Sequence, residues 1–460
     1  MSTLLVRNAL LLATFDDQER EIADGGLFIR DGFIELVGPT SELPDSADAV
    51  LNLAGHVVLP GLINTHHHFY QTLTRAVPAA QDANLFNWLV TLYPIWARMQ
   101  PEDIYVSTIT ALAELALSGC TTASDHLYIF PNGSRLDDQI QAGLEIGVRL
   151  HASRGSMSLG ESEGGLPPDS VVEDEDFILK DSQRLVEQYH DPNPGSMTQV
   201  VLAPCSPFSI TGDLMKASAN LAREYGVQLH THLAETEDEE QFCIDLFGHR
   251  PVAYMDQVNW LGSDVWFAHS VHVNDDEINQ YALTGSGVAH CPSSNMRLAS
   301  GAPPIQKMLR YGVKVGLGVD GSASNDGSHM LGEVRQAMLL SRLASGLEGA
   351  SLSSEDTSPL MTARQALRVA TRGSAEVLGR EDIGSLEVGK CGDFFAVDMG
   401  QLNFSGALHD PLAALVFCAP VNADYTVVGG KLIVKEGQLQ TIDLQPHIEK
   451  HNARATRLLQ

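Results

Sequence analysis

Apolar and polar residues are patterned differently at the ends of the chain and in its middle. At both ends, short apolar runs are separated by turn residues. "LFIRDGFIELVG" (27–38) sets Asp31-Gly32 between two apolar runs, and "YTVVGGKLIVKEGQL" (425–439) does the same with Gly429-Gly430. Both predict tight hairpins. "GDFFAVDM" (392–399) is a further strand candidate. In the middle, eight short apolar runs alternate with helix-like stretches. The runs are "HVVLPGLINTH" (56–66), "CTTASDH" (120–126), "VRLHASR" (148–154), "TQVVLAP" (198–204), "VQLHTH" (227–232), "VWFAHS" (265–270), "GVAHCP" (287–292) and "KVGLGVD" (314–320). Helices are expected over "PEDIYVSTITALAELALSG" (101–119), whose Pro101, Glu102 and Asp103 suit a helix start, and over "TGDLMKASANLAREYG" (211–226). Eight strands alternating with helices predict an α/β fold, a (β/α)₈ barrel. One long segment, "SLGESEGGLPPDSVVEDED" (158–176), reads as a mobile flap after the third strand.

Composition adds bounds. The 460 residues, 44% hydrophobic and 19% charged, suit a folded protein of more than one domain. Twenty-nine basic against 58 acidic residues give a net charge of −29, which argues against nucleic acid as a partner. No stretch approaches the roughly 20 apolar residues of a membrane span. "MSTLLVRNALLLATFDD" lacks the basic start and cleavage site of a signal peptide. The six cysteines (Cys120, Cys205, Cys243, Cys291, Cys391, Cys418) are scattered, with no CxxC pair, as in a reduced protein. A soluble, cytoplasmic protein is expected.

In such a barrel, chemistry gathers at the C-terminal ends of the strands. The first run ends in "HHH": His66 and His68 point to one side, because residues two apart on a strand share a face, while His67 points elsewhere. The second ends in Asp125 and His126, the fifth in His230 and His232 with Glu235 three residues on, the sixth in His269 and the eighth in Asp320. Each has an ordinary structural explanation alone: a packed core histidine, or an aspartate capping a helix. Together, three histidines and a carboxylate at one barrel mouth match the ligand types of a catalytic zinc site with an open position. His126 and His230 remain open between partners of such ligands and purely structural residues.

The stretches "PGLINTHHH", "HTHLAE", "FAHSVHV", "HCPSSNMRLASG" and "GLGVDGSASND" resemble the amidohydrolase superfamily, in its aminohydrolase branch, over nearly the full length. "IGSLEVGKCGDFFAVD" is similar to the small β-domain that flanks these barrels. "HHHFYQTLTRA", "RGSMSLGESEGGLPPD" and "LAPCSPFS" look most like the 8-oxoguanine deaminases of that branch, with guanine deaminases and triazine aminohydrolases near them. The resemblance implies residues 1–57 and 376–445 as a β-sandwich domain built from both chain ends, 58–375 as the barrel and 446–460 as a C-terminal helix. It implies one divalent metal, zinc, on His66, His68, His232 and Asp320, and catalytic roles for Glu235, His269 and Asp320. Members with two metals carry a bridging lysine after strand four. Here that position reads Ala203-Pro204-Cys205-Ser206, so a single metal is expected, and Cys205 is either a buried thiol or a further ligand. Relatives form dimers, so a homodimer is a possible assembly.

The implied reaction is hydrolytic deamination of an amino-substituted purine-like ring, 8-oxoguanine to urate and ammonia, or isocytosine to uracil. The partners are then a small heterocycle and water. Gln71, three residues after His68, can give and accept one hydrogen bond at a ring edge. Arg154, at the end of the third strand, either holds a ring carbonyl or forms an ion pair. Trp88, Tyr93 and Trp96 either wall a flat pocket or pack in the core. Guanine or a hydroxy-triazine is the alternative substrate, and a catalytically retired barrel is the reading outside enzymes. The cytidine-deaminase HxE…PCxxC and the protease HExxH signatures are absent from the sequence.

Overall fold

The computed structural model describes residues 2–347, 360–418 and 420–460. Eight parallel strands close into a barrel: β1 (Leu62–Asn64), β2 (Cys120–Leu127), β3 (Arg149–Ser156), β4 (Thr198–Pro204), β5 (Leu229–Leu233), β6 (Val265–His269), β7 (Gly287–His290) and β8 (Lys314–Leu317). Leu317 pairs with Asn64 to complete the ring. These strands are buried almost throughout, with helices outside and side chains within, which is why they read as continuous apolar runs.

The first apolar run, 56–66, is not one strand but two. His56–Pro60 joins the flanking sheet, and Leu62–Asn64 enters the barrel. Gly61 makes the change of sheet. Its N–H donates to the Asp393 carbonyl at 3.0 Å, and a Cβ there would lie 2.0 Å from Thr121 Oγ1, so no larger residue fits this crossing.

The chain ends meet in one nine-stranded sheet. His56–Pro60 pairs antiparallel with Phe394–Asp398, which ties the N-terminal strands Thr3–Ala13, Glu21–Arg30 and Phe33–Pro39 to the C-terminal strands Tyr425–Val428 and Lys431–Lys435. Leu4, Val6, Leu27 and Ile29 share one apolar core with Val58, Phe394 and Val427. Beneath the barrel mouth, Ile63, Val201, Trp266 and Ala289 pack against Ala375, Val377 and Leu378. This plug leaves the C-terminal ends of the strands as the place where polar groups gather.

The last helix, Leu444–Leu459, reaches back over the barrel. His451 Nε2 lies 3.0 Å from Thr72 Oγ1, and His447 Nε2 lies 2.8 Å from Thr110 Oγ1. It thereby braces the short turn Phe69–Thr74 that follows the histidine trio. Segment 158–176 packs against its neighbours, with Ser158 and Leu159 N–H bonded to the Ser209 carbonyl at 3.0 and 3.2 Å. No helix among the described residues is long and apolar enough to cross a membrane.

Candidate active site

Hydrogen bonding fixes where the protons sit on the central histidines. Trp266 carbonyl lies 3.0 Å from His230 Nδ1, so that nitrogen carries the proton and Nε2 is an acceptor. His66 Nδ1, 2.7 Å from His230 Nε2, must then donate, which leaves His66 Nε2 a bare lone pair. His68 Nδ1 faces the His126 carbonyl at 2.7 Å, and His232 Nδ1 faces the Cys205 carbonyl at 2.7 Å, so their Nε2 atoms are bare as well. Yet those two Nε2 atoms lie 3.1 Å apart, and His66 and His68 Nε2 lie 3.3 and 3.4 Å from Asp320 Oδ1. Burial pushes the His66 imidazole well below its ordinary pKa and that of His232 down to about 3, so added protons do not relieve the arrangement. His66 Nε2 has no hydrogen-bond partner among the described residues. Three lone pairs and a carboxylate oxygen converging without hydrogens between them are repulsive until a cation joins them. The donor set, three imidazoles and one carboxylate, fits zinc. His230, stacked on Trp266 at 4.6 Å, is the group that orients His66.

The strand ends are bent to aim these groups. Ala234, His269 and Asp320 all adopt positive φ, at 53°, 74° and 60°. Such conformations cost about 1–3 kcal/mol each and persist where surrounding contacts over-determine them. At Ala234 the contact is the buried Glu239 carboxylate, which accepts the N–H groups of Ala234 and Glu235 at 2.9 and 2.8 Å. Asp320 Oδ1 accepts the Gly321 N–H at 2.7 Å, and Oδ2 accepts the Ser324 hydroxyl at 3.0 Å. Glu235 Oε2 lies 3.6 Å from His269 Nε2. Burial raises the Glu235 carboxyl above its usual range. Burial alone would lower His269, but the Glu235 and Asp320 carboxylates and a bond to Asn295 raise it. Both shifts favour the protonated form of each group relative to its ordinary range.

A narrow pocket opens onto these residues. His68, His232, Glu235, His269 and Asp320 form its floor, and Leu85, Trp88, Leu89 and Tyr93 form one wall. Those four occupy one face of the helix Leu85–Trp96, at spacings of three, four and eight residues. Trp88 is held by an Nε1–H bond to the Ala323 carbonyl, whereas Trp96 turns inward and donates to Thr74 Oγ1. Gln71 also lines the pocket. Its Oε1 accepts the Ala323 N–H at 3.3 Å, and its buried Nε2 has no partner among the described residues. The amide thus has its Nε2 donors free and one lone pair of Oε1 engaged by the backbone.

Arg154 does not reach this pocket. Its guanidinium bonds Glu173 at 2.9 and 3.0 Å and Asp181 at 2.9 Å, and lies 4.2 Å above the Phe130 ring. It takes the ion-pair alternative because β3 ends beneath segment 158–176, and these two acids compensate a buried cation. No described residue of that segment lines the pocket. Cys205 lines it as a buried thiol; its carbonyl lies 2.7 Å from His232 Nδ1 and its Sγ lies 3.9 Å from the same nitrogen. His67 points away and meets Ser328 Oγ at 2.9 Å. His126 Nε2 bonds the Ala203 carbonyl at 2.7 Å, and its ring stacks on His232 at 4.9 Å. Sequence reasoning missed Leu85 and Leu89, which the helical spacing to Trp88 signals, and Tyr128, Leu298 and Ser324, for which no local signal exists.

The amidohydrolase family model matches residues 57–433. This chain belongs to the amidohydrolase family. The amidohydrolase is 49% identical to the 8-oxoguanine deaminase of Pseudomonas aeruginosa, over 100% of both chains. It is 37% identical to the hydroxydechloroatrazine ethylaminohydrolase of Pseudomonas sp. strain ADP, over 96% of this chain and 93% of that protein. Among solved structures, the atrazine chlorohydrolase of Arthrobacter aurescens TC1, complexed with zinc, superposes with a TM-score of 0.92 at 35% identity, over 98% of this chain and 100% of that one. The chain is accordingly a metal-dependent hydrolase of carbon–nitrogen bonds.

Proposed function

We propose that this amidohydrolase deaminates an amino-substituted purine-like ring, 8-oxoguanine to urate and ammonia, with one zinc ion held by His66, His68, His232 and Asp320. The observation that carries the metal reading is the set of three bare Nε2 lone pairs facing one another and Asp320. The full-length similarity to an 8-oxoguanine deaminase supports the choice of ring.

An ion held there supplies Lewis acidity, which makes water acidic enough to serve as the nucleophile near neutral pH. The chain's own groups handle the protons. Asp320 accepts a proton from the attacking water. Glu235, at the pocket floor with a raised pKa, delivers a proton to the ring nitrogen beside the carbon under attack. His269, within reach of both Glu235 and Asp320, stabilises the charge that develops on the new oxygen. A proton passed to the amino nitrogen lets ammonia leave, and a carbonyl remains on the ring. The wall of Trp88, Tyr93 and Leu89 packs against the flat ring, and Gln71 Nε2 donates to a ring carbonyl.

Ammonia release by zinc-loaded protein, measured on 8-oxoguanine, guanine, isocytosine and a hydroxy-triazine, tests this. The highest kcat/KM is expected on 8-oxoguanine. Preference for guanine or the triazine replaces the substrate and keeps the class, and no release from any ring removes the deaminase reading.

A further inference from the structure

One stretch of chain supports both proton carriers of the site. Residues 291–301 follow β7, form the short helix Pro292–Arg297 and run on to Gly301. Asn295, completely buried, places its Oδ1 2.9 Å from His269 Nδ1. Ser300, also buried, donates its hydroxyl to Glu235 Oε1 at 3.3 Å. The two supports are joined, since Ser300 N–H donates to the Asn295 carbonyl at 2.9 Å. With Glu235 Oε2 3.6 Å from His269 Nε2, the contacts close into a ring: Ser300, Glu235, His269, Asn295 and back to Ser300. The stretch is itself anchored, as Glu333 accepts the Ser293 N–H at 2.8 Å and its hydroxyl at 2.7 Å.

Neither Asn295 nor Ser300 is among the residues lining the pocket. Asn295 makes one side-chain hydrogen bond among the described residues, and its Nδ2 is buried without a partner. Burying an amide half-satisfied is unfavourable, which singles out the bond to His269 as the contact this residue provides. An amide oxygen can only accept, so His269 must carry its proton on Nδ1 and turn Nε2 toward Glu235 and Asp320.

We propose that Asn295 and Ser300 are positioning residues for the reaction: Asn295 sets the tautomer and ring orientation of His269, and Ser300 sets the rotamer of Glu235, so that the two groups face each other across the reacting atoms. This rests on the deaminase reading, in which Glu235 and His269 act on the ring. Packing alone would be served by an apolar residue of similar volume, whereas positioning needs an acceptor at 295 and a hydroxyl at 300.

The test compares Asn295→Leu with Asn295→Asp, and Ser300→Ala with Ser300→Thr, in zinc-loaded protein of verified metal content and melting temperature. Partners that orient the groups of a metal site are worth about 10- to 100-fold in activity. Asn295→Leu and Ser300→Ala should lose kcat on that scale with KM little changed, and Asn295→Asp and Ser300→Thr should regain most of it. A second readout needs no turnover. Nitrogen-15 spectra of histidine-labelled, metal-free protein should place the His269 proton on Nδ1 in the wild type and show mixed tautomers in Asn295→Leu. An unchanged kcat in Asn295→Leu and Ser300→Ala, a conservative variant as impaired as its apolar counterpart, or a wild-type His269 whose Nδ1 carries no proton would overturn the proposal. Wild-type protein that releases no ammonia would sink the deaminase reading, and the nitrogen spectra would still decide the role of Asn295.

Discussion

Replacing Gln71 by alanine separates a substrate contact from a structural one. The side chain is buried, its Oε1 accepts the Ala323 N–H at 3.3 Å, and its Nε2 has no partner among the described residues. In the proposed complex, Nε2 is the donor to a ring carbonyl. In the variant that carbonyl enters a dry pocket with no donor to meet it. An unsatisfied buried acceptor costs about 1–3 kcal/mol. At about 1.4 kcal/mol per decade, kcat/KM on 8-oxoguanine should fall by about one to two decades, with zinc content unchanged. The control is a ring of the same shape that lacks this carbonyl. The wild type should handle it poorly, and Gln71→Ala should make little further difference, because the partner is already missing. The assay is ammonia release under kcat/KM conditions on both rings, with metal measured on the same samples. Equal losses on the two rings would refute the contact and leave Gln71 as a support for Ala323. Loss of zinc would move its role to the metal site, since it stands three residues from His68.

Glu235→Gln keeps the shape and loses the titratable proton, so turnover should fall by about 10² to 10⁴-fold in metal-replete protein; near-normal turnover removes Glu235 from proton transfer. Chelation should abolish ammonia release, and zinc should restore it. The metal-free form should also melt lower, because zinc at about 1,000 times its Kd adds about 4 kcal/mol of stability, and an unchanged melting temperature would contradict the ligand set. Arg154→Leu strands Glu173 without its cation and leaves Asp181 with Arg184 alone. It should cost about 3 kcal/mol, the lower end for a broken buried pair, since those acids keep 15% and 17% exposure. Thermal scans read the loss, and KM should hold; a raised KM with unaltered stability would return Arg154 to the substrate.

The sequence by itself determined the eight barrel strands and the polar residues that end them. Burial on both faces makes each strand a continuous apolar run, and a functional group at its end interrupts the run visibly. It also determined the hairpins at Asp31-Gly32 and Gly429-Gly430, because turn chemistry is local. The tertiary structure alone decided which groups meet. The run 56–66 divides at Gly61 because Thr121, sixty residues on, leaves no room for a Cβ. Arg154 is claimed by Glu173 and Asp181, whose carboxylates converge on it only once segment 158–176 has folded back over β3. Which nitrogen of His66 is bare depends on His230 and the Trp266 carbonyl, 164 and 200 residues away along the chain. Asn295 and Ser300 likewise carry no local mark of their contacts with His269 and Glu235. Periodicity reports which face of an element is buried, a property of neighbours in sequence. A hydrogen bond across the barrel mouth depends on the relative placement of separate strands, which is fixed only when the barrel closes.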